Sequence, residues 1–234
     1  CASAFEKGVG VVCFTDHIDV EYADTVNVFE VAGNSVNDAF KMRKKFNGKL
    51  KVLTGTEIGE YFWKPEVPKK LLETYDFDTV IGSVHSTTLE GFTKPYSTLD
   101  MNKPNLHEFM RVYFEDMSVM LRTCDFDVLA HLTCPLRYIN GKYSKNLDIH
   151  EFEPQITEIL KLAIRRGTAL EINTSCVGSE YDELMPEEWI IEKYRQLGGY
   201  LVTLGADAHI PENCAHGFDR AFEILRKYGF KNIY

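Results

Sequence analysis

The regular alternation of apolar, strand-like runs with segments of helical period constrains this chain more than any other feature. Strands are predicted at residues 11–17, 51–62, 78–86, 127–133, 169–175 and 200–209 of the 234. These runs are almost continuously apolar, which indicates a parallel sheet buried on both faces in an α/β fold. No linker-like composition or internal repeat interrupts the alternation. We therefore expect one domain over residues 1–234.

Five of the six predicted strands end in side chains that bind metals or move protons. These side chains are Asp16 and His17, Glu57, His85, His131, and Asp207 with His209. A β/α barrel gathers the carboxyl ends of all its strands on one functional face, whereas an open sheet spreads them along a row. The distribution therefore favours a barrel. Asp207 and His209, two places apart on an extended strand, are expected to point to the same side.

The candidate residues are more informative together than singly. A lone buried histidine usually makes a structural hydrogen bond, and a lone glutamate is usually an ion-pair partner or a cap. Here four histidines converge with Glu57 and Asp207 on one rim, and buried carboxylates need a counter-charge. No lysine or arginine occupies these strand ends, so the sequence predicts bound metal. Mixed imidazole and carboxylate ligands suit Zn, Mn or Fe better than Ca or Mg.

The charge and the cysteines limit the class of protein. The formal net charge is −9, which argues against nucleic acid as a partner because phosphate backbones require a basic face. A small phosphorylated substrate needs only a local positive site. There is no apolar stretch of membrane-spanning length, no signal peptide and no C-x-x-C pair among the six cysteines. We expect a cytoplasmic protein with free thiols and no membrane partner.

Five short motifs resemble those of the polymerase-and-histidinol-phosphatase (PHP) superfamily. They are FTDH (14–17), GTEIG (55–59), IGSVH (81–85), LAH (129–131) and GADAH (205–209), and they occur in the family's order over nearly the whole chain. GSVH, the arginine of AHLTCPLRY, EINTS and the length are similar to the monofunctional histidinol-phosphatase branch.

This resemblance implies a distorted seven-stranded β/α (TIM-like) barrel with two or three divalent metal ions (Zn, Mn or Fe) at its mouth. It also implies that Glu57 bridges the first and second ions. The remaining ligands implied by the motifs are Asp207 for the first ion, His85 and His131 for the second, and His17 and His209 for the third.

The activity implied by the resemblance is hydrolysis of L-histidinol phosphate to L-histidinol and phosphate. A hydroxide bridging two metal ions would attack phosphorus directly. Glu57 and Asp207 would act through those ions, and Asp16 or a water would protonate the leaving alcohol. Arg137 and Ser175 are expected to hold the phosphate. The oligomeric state is left open.

The opening of the sequence departs from the family pattern. The family begins with an H-x-H strand that supplies two imidazoles to the first ion, and no H-x-H occurs here. Residues 1–10 resemble the end of a helix. Since a β-α-β unit takes about 30 residues or more, we expect roughly twenty residues of strand and helix before Cys1. Two alternatives remain: a PHP phosphoesterase acting on nucleotides, and a non-catalytic metal-binding barrel if the H-x-H strand is truly absent.

Overall fold

Six parallel strands form one sheet, in the same order as along the chain. The structure is a computed structural model that describes residues 1–103 and 105–234. The strands are β1 (Val11–Asp19), β2 (Lys51–Gly59), β3 (Thr79–Ser83), β4 (Val128–Leu129), β5 (Ala169–Asn173) and β6 (Val202–Gly205). The parallel α/β sheet predicted from the apolar runs is therefore confirmed, although most strands are shorter than predicted.

A helix follows each strand, and a further short helix precedes the first strand. The helices are α1 (Ala2–Glu6), α2 (Val28–Lys45), α3 (Glu66–Thr74), α4 (Leu106–Thr123), α5 (Glu153–Arg166), α6 (Glu188–Gln196) and α7 (Phe218–Lys227). Helix α2 begins directly after Asn27, whose side chain accepts the backbone N–H of Glu30 at 3.3 Å and caps the helix. In the described part of the chain, no helix combines the length and apolarity needed to span a membrane.

The sheet is strongly curved. β1 and β6 are its two end strands, and five strand spacings would separate them by roughly 24 Å in a flat sheet. Yet the imidazole of His17, on β1, lies 5.8 Å (centroid to centroid) from that of His209, just after β6. The six strands therefore curl into a partial barrel whose mouth is formed by their carboxyl ends, as the strand-end residues predicted. The seventh strand remains a prediction.

The largest hydrophobic core supports the wall of the mouth formed by β3, β4 and β5. Helices α4 and α5 pack against each other, and α5 also packs against β5. Phe109, Tyr113 and Met117 of α4 and Ile156 and Leu160 of α5 are completely buried in it. Since close packing of such side chains resists displacement, the residues that follow these strands have a rigid base.

The polar stretch from 87 to 105 folds back over the end of β3. Asp116 of α4 accepts the backbone N–H of Thr88 at 2.7 Å and its hydroxyl at 2.9 Å. Farther along, the backbone N–H of Tyr96 donates to the carbonyl of His85 at 2.9 Å, and Tyr96 is buried. Residue 104 of this stretch lies outside the described residues. The stretch therefore covers one side of His85.

Candidate metal centre

Glu57 lies at the centre of the mouth, on the inner face of β2. Its Oε1 is 3.1 Å from Nε2 of His85 and 3.2 Å from Nε2 of His131, while its Oε2 is 3.8 Å from Nδ1 of His17. His17 is the direct register partner of Glu57 on β1, so their side chains point to the same side of the sheet. One buried carboxylate thus faces three imidazoles, each from a different strand end.

The charges of this cluster are tightly coupled. Burial raises the pKa of Glu57, but hydrogen bonds with His131 and His85 outweigh it and hold that pKa well below its ordinary value. Burial lowers the pKa of His85, yet its bonds to Asp19 and Glu57 raise it well above the ordinary value. The pKa of His131 is raised too, because Glu57 outweighs the effect of burial. A divalent ion bound here would displace protons from these imidazoles.

A second group of donors lies at the rim. Nδ1 of His209 is 3.6 Å from Oδ1 of Asp207, and the rings of His17 and His209 stack. The predicted reason for this pairing is wrong, because β6 ends at Gly205 and Asp207 adopts a left-handed conformation with φ of 48°. The chain therefore turns at Asp207 instead of continuing as an extended strand. The turn still brings the two side chains together.

The donors present fit transition-metal ions. Three sets of residues each bring their possible ligand atoms within 4.8 Å of one another: His17, Glu57 and His85; His17, Asp207 and His209; and Asp19, Glu60 and His85. Imidazole nitrogens and carboxylate oxygens are the ligands expected for Zn, Mn or Fe. The first two sets share His17, so positions for ions in them would be adjacent. His131 lies outside these sets, but its Nε2 is close to Oε1 of Glu57, the same oxygen that His85 contacts.

The two residues predicted to hold phosphate differ in placement. Arg137 begins a π-helical segment, Arg137–Lys142, after β4. Its Nη1 is 3.7 Å from Oδ2 of Asp207, so a partly exposed guanidinium lies beside the candidate metal ligands. The hydroxyl of Ser175 instead donates to Oδ1 of Asn173 at 2.7 Å. Arg137 is therefore brought to the mouth, whereas the hydroxyl of Ser175 is already engaged by its neighbour.

Asp16 is not brought to the mouth. It precedes His17 on β1 and therefore points to the opposite, outer face. There its carboxylate accepts a hydrogen bond from the hydroxyl of Ser35 on α2. A proton donor for a leaving alcohol must lie on the inner face, so Asp16 is not placed for its predicted catalytic role.

Sequence reasoning missed two carboxylates around His85. Oδ1 of Asp19 is 2.8 Å from Nδ1 of His85. Glu60 is completely buried and accepts the backbone N–H groups of His85 and Ser86, the latter at 2.8 Å. Burial raises the pKa of Glu60 to about 7. Asp19 could have been found, because it lies two residues after His17 and strand alternation puts both on one face.

A third overlooked carboxylate lies deeper, on β5. Oε2 of Glu171 accepts the backbone N–H of His131 at 2.7 Å. Burial raises the pKa of Glu171 to about 7, and nearby Glu57 adds to that rise while His131 opposes it. The signal was an acidic residue in the middle of a mainly apolar strand, ALEIN.

Comparison with known proteins identifies the family. A model of the PHP domain matches residues 1–175. The chain belongs to the PHP domain family. Among its relatives, a protein of Clostridium acetobutylicum named as a probable histidinol-phosphatase is 31% identical over 234 residues, covering 98% of this chain and 86% of the relative. The histidinol-phosphatase of Lactococcus lactis is 26% identical over 237 residues, covering 98% and 84%.

Solved structures share the fold of this PHP chain. One is the crystal structure of histidinol phosphate phosphatase from Lactococcus lactis, complexed with zinc, L-histidinol and phosphate. It has a TM-score of 0.78 and 22% identity, and the match covers 99% of this chain and 87% of that one. A structure from Listeria monocytogenes has a TM-score of 0.81 and 14% identity, with coverage of 94% and 91%. These likenesses establish the α/β fold.

Proposed function

We propose that this PHP chain is a metal-dependent phosphomonoesterase that hydrolyses L-histidinol phosphate to L-histidinol and phosphate. The observation that carries the proposal is the position of Glu57, whose two carboxylate oxygens face different imidazoles. Relatives named as histidinol-phosphatases, aligned over nearly the whole chain, support the choice of substrate.

The proposed ligand assignment is the one that the family motifs imply. Glu57 would bridge two ions, one of them completed by His85 and His131 and the other by Asp207. His17 and His209 would hold a third ion at the rim. Two or three divalent ions of the Zn, Mn or Fe kind would be bound. When bound, such ions neutralise charge on phosphate oxygens and lower the pKa of water enough to provide a nucleophile at neutral pH.

Arg137 would bind the phosphate. Its guanidinium lies 3.7 Å from Asp207, and its planar fork can donate two parallel hydrogen bonds to phosphate oxygens. It would orient the phosphate towards the ions and offset negative charge that develops on the oxygens. Ser175 is a weaker candidate for the same role, because its hydroxyl donates to Asn173.

We also propose that the complete barrel has a seventh strand between β6 and β1. In the described residues each of these strands pairs with one neighbour. Helix α1 reaches the segment after β6, where the hydroxyl of Ser3 donates to the carbonyl of Pro211 at 2.6 Å. A right-handed crossover through α1 would place a preceding parallel strand on the free edge of β1. That strand could add ligands to the first ion.

Two further parts of the proposal concern organisation and location. Residues 1–234 would form one PHP domain, because the six strands form a single continuous sheet. The protein would work in the cytoplasm, since all six cysteines are free thiols and disulfides are rare there.

The decisive experiment measures metal content and phosphatase activity for residues 1–234 and for a version extended upstream of Cys1. Each form would be loaded with zinc or manganese and assayed with histidinol phosphate, nucleoside monophosphates and a simple aryl phosphate. We expect bound metal and a clear preference for histidinol phosphate. A preference for nucleotides would contradict the proposal that histidinol phosphate is the substrate. Metal binding without hydrolysis in both forms would instead identify a non-catalytic metal-binding barrel.

A further inference from the structure

The imidazole of His85 is held by a carboxylate on each side. Nδ1 is 2.8 Å from Oδ1 of Asp19, and Nε2 is 3.1 Å from Oε1 of Glu57. The side chains of His85 and Asp19 are 14% and 21% exposed, so water competes weakly for this bond. Because the carboxylate of Asp19 accepts a hydrogen bond from Nδ1 of His85, that nitrogen keeps its proton. The other ring nitrogen, Nε2, is then left to bind a metal beside Glu57.

The backbone of His85 is fixed independently of its ring. Oε1 of Glu60 accepts the backbone N–H groups of both His85 and Ser86. Glu60 is completely buried and has a left-handed φ of 49°. Such a conformation is unfavourable for a non-glycine residue and persists only where the surroundings determine it. The peptide that carries His85 is therefore held in place, and the choice of ring nitrogen depends on Asp19.

Gly59 leaves the space through which the bond between Asp19 and His85 passes. It is the register partner of Asp19 on β2. A Cβ atom at Gly59 would lie 2.1 Å from Oδ1 of Asp19 and 3.1 Å from Nδ1 of His85. Since Gly59 lies in a regular strand, its backbone does not require glycine. The absence of a side chain there serves the hydrogen bond.

We propose that Asp19 is a positioning residue that fixes the ring of His85 so that Nε2 faces the metal position next to Glu57, and that Gly59 permits this contact. The inference rests on the proposed function in taking Glu57 and His85 as ligands of one ion. Although Asp19 belongs to one of the three sets of possible ligands, its Oδ1 is engaged by Nδ1 of His85, so in this proposal Asp19 binds no metal. It acts through His85, by holding one orientation and one protonation pattern of the ring.

The first test substitutes Asp19→Asn. Asparagine keeps the shape but removes the charge, and its amide can donate as well as accept, so one pattern of ring protonation is no longer enforced. We expect the affinity for zinc, measured by competition with a chromophoric chelator, to fall about 10- to 100-fold. The number of bound ions and the circular dichroism spectrum should stay unchanged, and the absorption bands of the cobalt-loaded protein should shift. The matched control is Asp24→Asn, an exposed aspartate paired with Lys64.

A second test leaves both polar partners in place. Gly59→Ala adds a methyl group where the hydrogen bond passes, so it should lower zinc affinity and shift the cobalt bands as Asp19→Asn does. The two changes act on one contact, so the double variant should be little worse than either single one. Gly10→Ala is the control, because among the described residues nothing lies within 4 Å of a Cβ placed there.

The outcomes separate this inference from the proposed function. Unchanged zinc affinity and cobalt spectrum in both Asp19→Asn and Gly59→Ala would refute the positioning role. Loss of one whole ion equivalent in Asp19→Asn would make Asp19 a ligand, which also contradicts it. If the wild-type chain binds zinc but does not hydrolyse histidinol phosphate, the proposed function fails while the variants still decide the role of Asp19. A wild-type chain that takes up no zinc refutes both.

Discussion

Glu57 presents its two carboxylate oxygens to different imidazoles, and this arrangement leads to a direct prediction. Glu57→Gln keeps the size of the side chain but removes the charge that would bind two ions. We expect zinc affinity to fall by at least about 100-fold, more than for loss of a residue that only supports a ligand, and activity to fall with it. Metal titration and phosphatase assays check this. Glu66→Gln, on the exposed face of α3, is the control; full metal occupancy with normal turnover in Glu57→Gln would rule out the assignment.

Arg137 lies beside the candidate metal ligands, with its Nη1 3.7 Å from Oδ2 of Asp207. Arg137→Ala should raise the inhibition constant of inorganic phosphate by roughly 10- to 100-fold, as expected for loss of about 1.5–3 kcal/mol in charged hydrogen bonds. Metal content should not change. The control is Arg111→Ala, since Arg111 is exposed on α4 and pairs with Glu108 and Glu115. Equal phosphate inhibition in parent and variant would make Arg137 a surface residue without this role.

The aspartates of β1 illustrate how far single residues can be predicted from sequence. The motif FTDH drew attention to Asp16, but the strand continues to Asp19 and its side chains alternate. Asp16 therefore faces α2, and Asp19 joins His17 on the inner face. The sequence contained this information. Once His17 is placed on the inner face, the alternation of side chains along the strand places Asp16 on the outer face and Asp19 on the inner face. The contact of Asp19 with His85 could not be predicted, since it depends on the packing of a third strand.

At the scale of elements, regular apolar periodicity predicts helices and strands well, whereas irregular backbone is not predicted by it. Helix α4 (Leu106–Thr123) lies where a segment of helical period separates the third and fourth predicted strands, and its apolar positions recur along one face. The predicted strand at 200–209 ends at Gly205 instead, because the chain turns at Asp207. An aspartate at the left-handed position of a turn leaves no distinctive apolar pattern. Asp207 and His209 were thus expected to lie together, as they do, while the turn that brings them together was not predicted.

The contact between β5 and β6 depends on the small size of Gly205. A Cβ atom there would lie 1.9 Å from Oε1 of Glu171, whose other oxygen accepts the backbone N–H of His131. Gly205→Ala should displace this buried carboxylate and destabilise the fold by about 1–3 kcal/mol, lowering the melting temperature by several degrees. Thermal unfolding followed by circular dichroism measures the effect. Gly10→Ala, in open space, should melt like the parent, and an unchanged melting temperature in Gly205→Ala would contradict the tight contact.

For the whole molecule, buried acids determine how stability depends on pH. Burial raises the pKa of both Glu60 and Glu171 from 4.5 to about 7. Between pH 4.5 and about 7, these two carboxyl groups hold protons in the folded protein that they have lost in the unfolded chain. Their contribution to the stability of the fold is therefore present in acid and is lost as the pH rises through about 7. The pKa values of His85 and His131 are also raised. These two residues therefore likewise make the fold less stable as the pH rises above the ordinary pKa of histidine.

The metal-free protein should therefore lose stability between about pH 6 and pH 8, by about 1 kcal/mol for each of the two carboxyl groups. Zinc should reverse the trend, because it competes with protons for the imidazoles and binds more tightly as pH rises. Thermal unfolding at both pH values, with a chelator or with excess zinc, checks the prediction. A metal-free protein that is more stable at the higher pH would show that the raised pKa values do not govern its stability.

The candidate ligands also differ in their access to solvent. The side chain of His131 is 5% exposed, that of His17 is 40% and that of His209 is 71%. Ions held by these residues would therefore lie at different depths, with the ion at the rim nearest to solvent. Loading and removal would then be ordered in time: the rim ion would exchange quickly with the medium, and the ion beside His131 would be the first to be trapped and the last to leave.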